Sequence, residues 1–301
     1  MTLEILTTVN QLKTYTKTMR ARGKTIGFVP TMGALHEGHF TLARTALKEN
    51  DACITSIFVN PKQFAPHEDF DRYPRMVEQD AAALNQIGVG AVFAPSVEIM
   101  YPPGFQTTVS VSEISKPLEG EFRPHFFTGV ATVVARLLLL VMADRAYFGE
   151  KDFQQLQVIR HMVNDLAIPT EICGVGIVRN ADGLALSSRN AYLSAQEKQI
   201  AIQLNKILAN MALELRNHTA SPALANPDLP NLPDLITTIE SRAQDQLIKI
   251  GFDKIDYCTI RDINNLCPPT GPMTQNRLET LRILAAAWLG KTRLIDNMGV
   301  S

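Results

Sequence analysis

The chain has 301 residues, 46% of them hydrophobic and 20% charged, which supplies ample apolar material for a core and shows none of the biases of disordered or fibrous chains. Twenty-nine basic residues stand against 30 acidic ones, a formal net charge of -1, which argues against a broad nucleic-acid-binding face while leaving room for a local basic pocket. The longest largely apolar run, Ala131 to Ala143, is broken by Arg136 and falls short of the about 20 residues that a bilayer span needs. No cationic start leads into an apolar stretch as in a secretory signal, so a cytoplasmic protein without a membrane partner is expected. The four cysteines, Cys53, Cys173, Cys258 and Cys267, lack CxxC spacing, lie mostly in apolar runs and read as buried, reduced thiols.

The first half alternates. An apolar run at Thr25–Pro30 reads as a strand, and His39–Lys48 as the helix after it. Ala52–Val59 is strand-like, a polar loop and a helix near Glu78–Ile87 follow, and Val89–Ala94 is strand-like again. Val130–Met142 reads as a helix, Arg145–Phe148 as a strand, Phe153–Leu166 as a helix and Glu171–Val178 as a closing strand. Near-continuous apolar strands alternating with helices predict the α/β class, a Rossmann-like, doubly wound parallel sheet covered on both faces. Ligands of such sheets lie at the carboxyl ends of the strands.

Beyond Val178 the texture changes. Ser194–Leu215 reads as a long helix, and Ser221–Leu235, with Pro222, Pro227, Pro230 and Pro233, as an exposed connection without chemistry. A helix near Leu235–Ile250 and strands at Lys254–Ile260, Leu281–Ala287 and Thr292–Ile295 complete the chain. Two domains are expected, residues 1–178 and a smaller α+β domain of residues 179–301. No internal repeat is evident.

Two lookalikes fall away. Gly23-Lys24-Thr25 and Gly290-Lys291-Thr292 resemble the end of a P-loop, but Thr18 and Ala285 stand where its first glycine belongs. Gly88-Val89-Gly90 and Gly174-Val175-Gly176 do not extend into a dinucleotide fingerprint. The informative segment is Pro30-Thr31-Met32-Gly33-Ala34-Leu35-His36-Glu37-Gly38-His39, between the first of these strands and its helix. Gly33 permits a sharp turn, and Gly38 removes a side chain where a ligand could approach the backbone. His36 and His39 can share one face at a helix start, where unpaired N–H groups and the positive dipole end favour phosphate. A structural or capping pair is the plain alternative. A metal site is another, although no third ligand stands nearby in sequence.

That segment resembles the signature of the pantothenate synthetase family, a branch of the nucleotidyltransferases with an HxGH motif. The resemblance continues in order through Ile57-Phe58-Val59-Asn60-Pro61-Lys62-Gln63-Phe64, Tyr73-Pro74-Arg75, Phe148-Gly149-Glu150-Lys151-Asp152-Phe153-Gln154-Gln155-Leu156 and Asp182-Gly183-Leu184-Ala185-Leu186-Ser187-Ser188-Arg189-Asn190. It ends in Ala286-Ala287-Trp288-Leu289-Gly290 and Arg293-Leu294-Ile295-Asp296-Asn297, so it covers nearly the whole chain. It implies a pantoate–β-alanine ligase that uses ATP with Mg²⁺, the ion held mainly by phosphate oxygens and with no protein ligand assigned. It also implies a homodimer, and it makes the second domain a candidate lid.

The resemblance implies roles residue by residue. ATP would be bound by Pro30, Thr31, Met32, Gly33, His36, Gly38, His39, Gly149, Lys151, Asp152, Val178, Leu186, Ser187, Ser188 and Arg189. Catalysis would rest on His36, His39, Lys151, Ser187 and Arg189, and pantoate would meet Met32, Gln63 and Gln155. Physical reasons run alongside. Lys151 opens a helix against the dipole, a conflict that a bound phosphate would resolve. An amide such as Gln63 both donates and accepts, which suits hydroxyl and carboxylate groups. Serine hydroxyls and an arginine suit a triphosphate. Tyr73 and Asp80 are weaker candidates, with core packing and a solvated helix-face charge as their plain readings.

Two departures stand out. The family usually has Arg-Pro-x-His-Phe, whereas this chain reads Arg123-Pro124-His125-Phe126-Phe127, with the histidine moved one place toward the N-terminus. Lys62 stands where methionine is frequent. His67, His161 and His218 have no motif context and read as ordinary surface or helix residues, and the loop from Pro66 to Arg75 as mobile. The expected reaction is activation of pantoate as an acyl adenylate followed by attack of β-alanine. Another acid-activating adenylyltransferase of the superfamily, or a non-catalytic nucleotide-binding protein, is the alternative.

Overall fold

The computed structural model describes residues 2–65, 70–220, 232–270 and 275–300. His67 and the proline-rich connection over residues 221–231 lie outside them, as do residues 66–69 of the loop expected to be mobile. The chain divides into two compact units, Met1–Val178 and Arg179–Ser301.

The first unit opens with two elements that hydrophobic patterning did not reveal, strand β1 (Glu4–Leu6) and helix α1 (Val9–Ala21). A signal for α1 was present. Thr8 caps it in a reciprocal box with Gln11, in which each side chain satisfies the other's backbone N–H. There follow β2 (Ile26–Thr31), α2 (Glu37–Glu49), β3 (Ala52–Ile57), α3 (Val77–Ile87) and β4 (Ala91–Phe93). Short helices α4 (Val97–Met100) and α5 (Glu119–Phe122) lead to α6 (Phe126–Val141), β5 (Arg145–Gly149), α7 (Phe153–Asp165) and β6 (Glu171–Val175).

The six strands form one sheet in the order β1-β4-β3-β2-β5-β6, with every pair parallel. Alternate residues feed opposite faces. Ile26, Phe28, Ile54 and Phe93 pack with residues of α1, α6 and α7. Val29, Cys53, Ile57 and Val92 pack with residues of α2 and α3. Burial on both faces explains why these strands read as continuous apolar runs. The last strand of this sheet is shorter than expected because its neighbour β5 ends at Gly149, opposite Val175.

Strand order places the ligand region. From β2 the chain builds outward through β3 and β4, then crosses back to place β5 on the other side of β2. The crevice outside the carboxyl ends of β2 and β5 is therefore the topological switch point, where open α/β sheets bind ligands.

The second unit holds α8 (Ala195–Ala220), α9 (Leu232–Lys249), β7 (Lys254–Asp262), α10 (Gln275–Leu278), β8 (Leu281–Leu289) and β9 (Thr292–Gly299). Its strands pair antiparallel in the order β7-β8-β9 over a core that includes Leu208, Leu247, Cys258 and Ile283. Both P-loop lookalikes are turns. Gly290 (φ 54) lies between β8 and β9, and Gly23 (φ 68) follows α1. Among the described residues, no helix is long and apolar enough to cross a membrane. Cys53 and Cys258 are buried and Cys173 half-buried. Cys267 is exposed, against expectation, because it lies outside the strands in the irregular segment after β7.

Candidate active site

The segment after β2 forms a tight turn. Gly33 has φ 86 and Ala34 φ 52, left-handed backbone that glycine tolerates and alanine adopts only when held. Asp80 holds it. The carboxylate accepts the N–H of Ala34 at 2.9 Å and of Leu35 at 3.0 Å. Asp80 is only 4% exposed, so it is not the solvated helix-face charge expected from its place on α3. Burial raises its pKa, opposed by the two N–H groups it accepts. The Thr31 hydroxyl donates to the Ser56 carbonyl at 2.7 Å and accepts the Gly33 N–H at 3.2 Å, tying the turn to β3.

His36 and His39 come together at the start of α2, with ring centroids 4.2 Å apart. The Nδ1 of His36 accepts the Gly38 N–H at 3.2 Å, and the Nδ1 of His39 accepts the His36 N–H at 3.3 Å. The N–H groups of His39 and Phe40 bond to the His36 carbonyl. The donors at this helix end are therefore largely spent, contrary to the expectation of unpaired backbone N–H groups. With both Nδ1 atoms accepting, each neutral ring carries its proton on Nε2, so the imidazoles supply the donors instead. Gly38 serves this arrangement directly. A side chain there would lie 2.9 Å from Cε1 and 3.0 Å from Nδ1 of His36, so the close approach is to the imidazole.

Lys151 stands in the 3-10 turn Glu150–Asp152 between β5 and α7. Its ammonium lies 3.9 Å from the Asp152 carboxylate, and its side chain is 19% exposed. Burial lowers the pKa of His36, Lys151 lowers it further and Asp152 opposes. Burial, then His36 and Lys151, push His39 down to about 3. The pair is thus neutral near pH 7, beside a cation. Gly149, at the end of β5, borders open space, since a side chain there would meet nothing within 4 Å. Gly149 and Val178 offer backbone groups, and both are partly exposed.

The end of β3 brings in a second group. Gln63, in the 3-10 turn Pro61–Gln63, donates from Nε2 to the Met32 sulfur at 2.9 Å, which joins two of the three residues expected to meet pantoate. Asn60, which sequence reasoning left without a role, is fully buried and donates to Gln63 Oε1 at 3.1 Å. The Asn-Pro step after a strand was its only local signal. Of the adjacent glutamines on α7, Gln154 is buried and bonds to the backbone of Ile114, Pro117 and Glu119, whereas Gln155 is half-buried. Tyr73 is buried, its ring 5.9 Å from that of Phe64.

The shifted histidine resolves simply. His125 is exposed at the N-cap of α6 and makes no side-chain cap bond. Phe126, in the family histidine's place, lies 3.8 Å beneath the Arg123 guanidinium, which also donates to the Gln63 carbonyl at 3.4 Å. Lys62 places its ammonium over the rings of Tyr101 and Phe105, at 4.6 and 4.8 Å. His161 is exposed and His218 half-buried on their helices.

Leu186, Ser187, Ser188 and Arg189 belong to the second unit. The Ser187 hydroxyl accepts the Arg189 N–H at 3.3 Å and caps the 3-10 turn Ser188–Tyr192, while Asn190 ties that turn to the Ala185 carbonyl at 3.0 Å. A surface hollow of about 500 Å³ lined by Arg160, Val163, Asn164, Ala167, Ile168 and Ile172 lies at the end of α7 and the start of β6, away from the strands' carboxyl ends. Among the described residues, no group of three or more His, Cys, Asp or Glu could hold a metal ion.

The family model described as pantoate-beta-alanine ligase matches residues 4–299. A pantothenate synthetase of Caulobacter vibrioides is 49% identical over 98% of both chains, and one of Paramagnetospirillum magneticum is 47% identical over 99% of this chain and 98% of its own. The crystal structure of pantothenate synthetase from Thermus thermophilus superposes with a TM-score of 0.85 at 41% identity, covering 99% of each chain. A pantoate-beta-alanine ligase from Francisella tularensis, crystallised with beta-gamma ATP and beta-alanine, has a TM-score of 0.75 at 33% identity over 99% of this chain and 98% of its own. With the histidine pair, Lys151 and the Met32–Gln63 contact gathered at the switch point of such a sheet, the chain belongs to the pantoate–β-alanine ligase family.

Proposed function

We propose that this ligase joins pantoate to β-alanine through a pantoyl adenylate, releasing pyrophosphate and then AMP. A pantoate carboxylate oxygen bonds to the α-phosphorus of ATP as the bond to the β-phosphate oxygen breaks and pyrophosphate leaves. The β-alanine amine then bonds to the acyl carbon, the carbon–oxygen bond to AMP breaks, and the amine proton passes to solvent.

The observation that carries this reading is the coupling of two neutral imidazoles to the Lys151 ammonium at the carboxyl ends of β2 and β5. Nε2–H donors and a cation match the oxygens of a triphosphate and stabilise charge that develops on it without rearranging. The same donors suit phosphate oxygens better than a bare cation, so ATP is taken as a substrate complex with Mg²⁺ held mainly by phosphate. Met32, Gln63 and Gln155 orient pantoate. Ser187, Ser188 and Arg189 supply hydroxyls and a guanidinium suited to departing pyrophosphate.

Exchange of labelled pyrophosphate into ATP tests the first step. It should require pantoate and proceed without β-alanine. No exchange with pantoate sinks the proposal, and exchange with a different acid favours another adenylyltransferase. His39→Ala and Lys151→Ala should each lower exchange by roughly a hundredfold or more in folded protein.

A further inference from the structure

The geometry points to Tyr101 as a positioning residue for the pantoate subsite, acting through Asn60 on the amide of Gln63. The inference rests on the reading of Gln63 as a pantoate ligand. Asn60, just beyond β3, is fully buried. Its Oδ1 accepts the Tyr101 hydroxyl at 2.8 Å and the Lys62 N–H at 3.3 Å. Its Nδ2 donates to the Gly129 carbonyl at 3.1 Å and to Gln63 Oε1 at 3.1 Å. These four bonds use the whole capacity of an amide. Flipping it would set its NH₂ group against the Lys62 N–H and its oxygen against two acceptors, so one orientation is enforced.

That orientation passes on. Because Gln63 Oε1 accepts from Asn60, Gln63 Nε2 is turned to the Met32 sulfur at 2.9 Å, which fixes the amide's orientation beside a second residue expected to meet pantoate. Approach of α6 depends on Gly129, where a side chain would lie 2.2 Å from the Lys62 carbonyl. The Tyr101 ring has separate duties. It packs near Phe58 and Phe105, with centroids at 6.1 and 5.2 Å, and under the Lys62 ammonium. Burial raises the phenol pKa, outweighing Arg136, so the hydroxyl stays a donor over the working pH range. Replacing tyrosine by phenylalanine keeps the ring and removes only the bond to Asn60.

The test compares Tyr101→Phe, Gln63→Ala and the double variant with wild type in full-length enzyme, measuring KM for pantoate and for ATP. Tyr101→Phe should raise pantoate KM roughly three- to tenfold, the worth of one buried hydrogen bond, and leave ATP KM within about twofold. In the Gln63→Ala background the Tyr101→Phe factor should fall to about one, because linked residues are not additive. A pantoate KM unmoved by Tyr101→Phe, while Gln63→Ala raises it, overturns the relay and leaves the role of Gln63 standing. The same factor in both backgrounds overturns it too, as does an equal rise in both KM values. A pantoate KM unmoved by Gln63→Ala removes the reading of Gln63 itself, and the relay with it.

Discussion

The main-chain N–H of His36 donates to Nδ1 of His39 at 3.3 Å, and this bond decides which face of the imidazole is presented outward. The ring is held neutral with its proton on Nε2, and protonating Nδ1 would break the contact. Burial, His36 and Lys151 all disfavour the charged ring and push its pKa to about 3. The sign of the consequence follows. An unfolded histidine titrates near about 6.5, so as pH falls below that value the unfolded chain takes up a proton that the native chain refuses. Stability is lost on acidification by up to about 1.4 kcal/mol per pH unit for this group. Urea midpoints at pH 7.5 and 5.0 should therefore differ more for wild type than for His39→Asn. Equal differences would show that the ring is protonated alike in both states.

Gly38→Ala should separate activity from stability. Alanine favours a helix over glycine by about 1 kcal/mol, so the melting temperature should hold or rise. The added carbon would lie 2.9 Å from His36 Cε1 and must push the ring aside. Pyrophosphate exchange should fall at least roughly tenfold, since misplacement by a fraction of an ångström is costly at a positioned site. Unchanged exchange would mean that the His36 ring position is not needed.

The displaced histidine and its neighbour should behave oppositely. His125 is exposed and caps nothing with its side chain, so His125→Ala should change stability by less than about 0.5 kcal/mol and leave exchange near wild type. Phe126 supports the Arg123 guanidinium at 3.8 Å, and Phe126→Ala should cost about 1–3 kcal/mol through lost burial and cation–π contact. Denaturant unfolding of both variants checks this, and a silent Phe126→Ala would contradict it.

The second unit has its own buried charge. The Asp256 side chain is 1% exposed, with Arg293 Nε at 2.7 Å, Lys254 Nζ at 2.8 Å and the Trp288 indole N–H at 3.0 Å. Burial raises its pKa, but the bonds from Lys254, Arg293 and Trp288 outweigh that and hold it below the usual carboxylate value. Lys254 is 62% exposed, so solvent screens its share in stability even though its bond helps hold the carboxylate ionised. Removing the charge in Asp256→Asn breaks this buried ion pair with Arg293, a loss of about 3 kcal/mol or more. Trp288 is the only tryptophan, so its fluorescence during urea unfolding reports on this cluster directly. A midpoint equal to that of wild type would argue against a stabilising role for the carboxylate.

Much of the fold was legible in one dimension, because strands buried on both faces read as continuous apolar runs and their helices as periodic ones. The histidine pair and its glycine were legible for a related reason. His36, Gly38 and His39 sit within four consecutive positions, so their arrangement is local. Strand β1 and helix α1 are not legible in this way, the one because three residues carry no periodicity, the other because its apolar stripe is sparse. Other features depended on contacts distant in sequence. Asp80 reads as a helix-face charge until α3 packs it beneath the Gly33 turn, 46 positions from Ala34. Asn60 and Tyr101 meet across 41 positions. Gln154 and Gln155 are chemically the same side chain, and only the packing of α7 buries one and leaves the other half-exposed. Local pattern reports which face a residue can take, whereas the partner on that face is chosen by chain crossings that no short window contains.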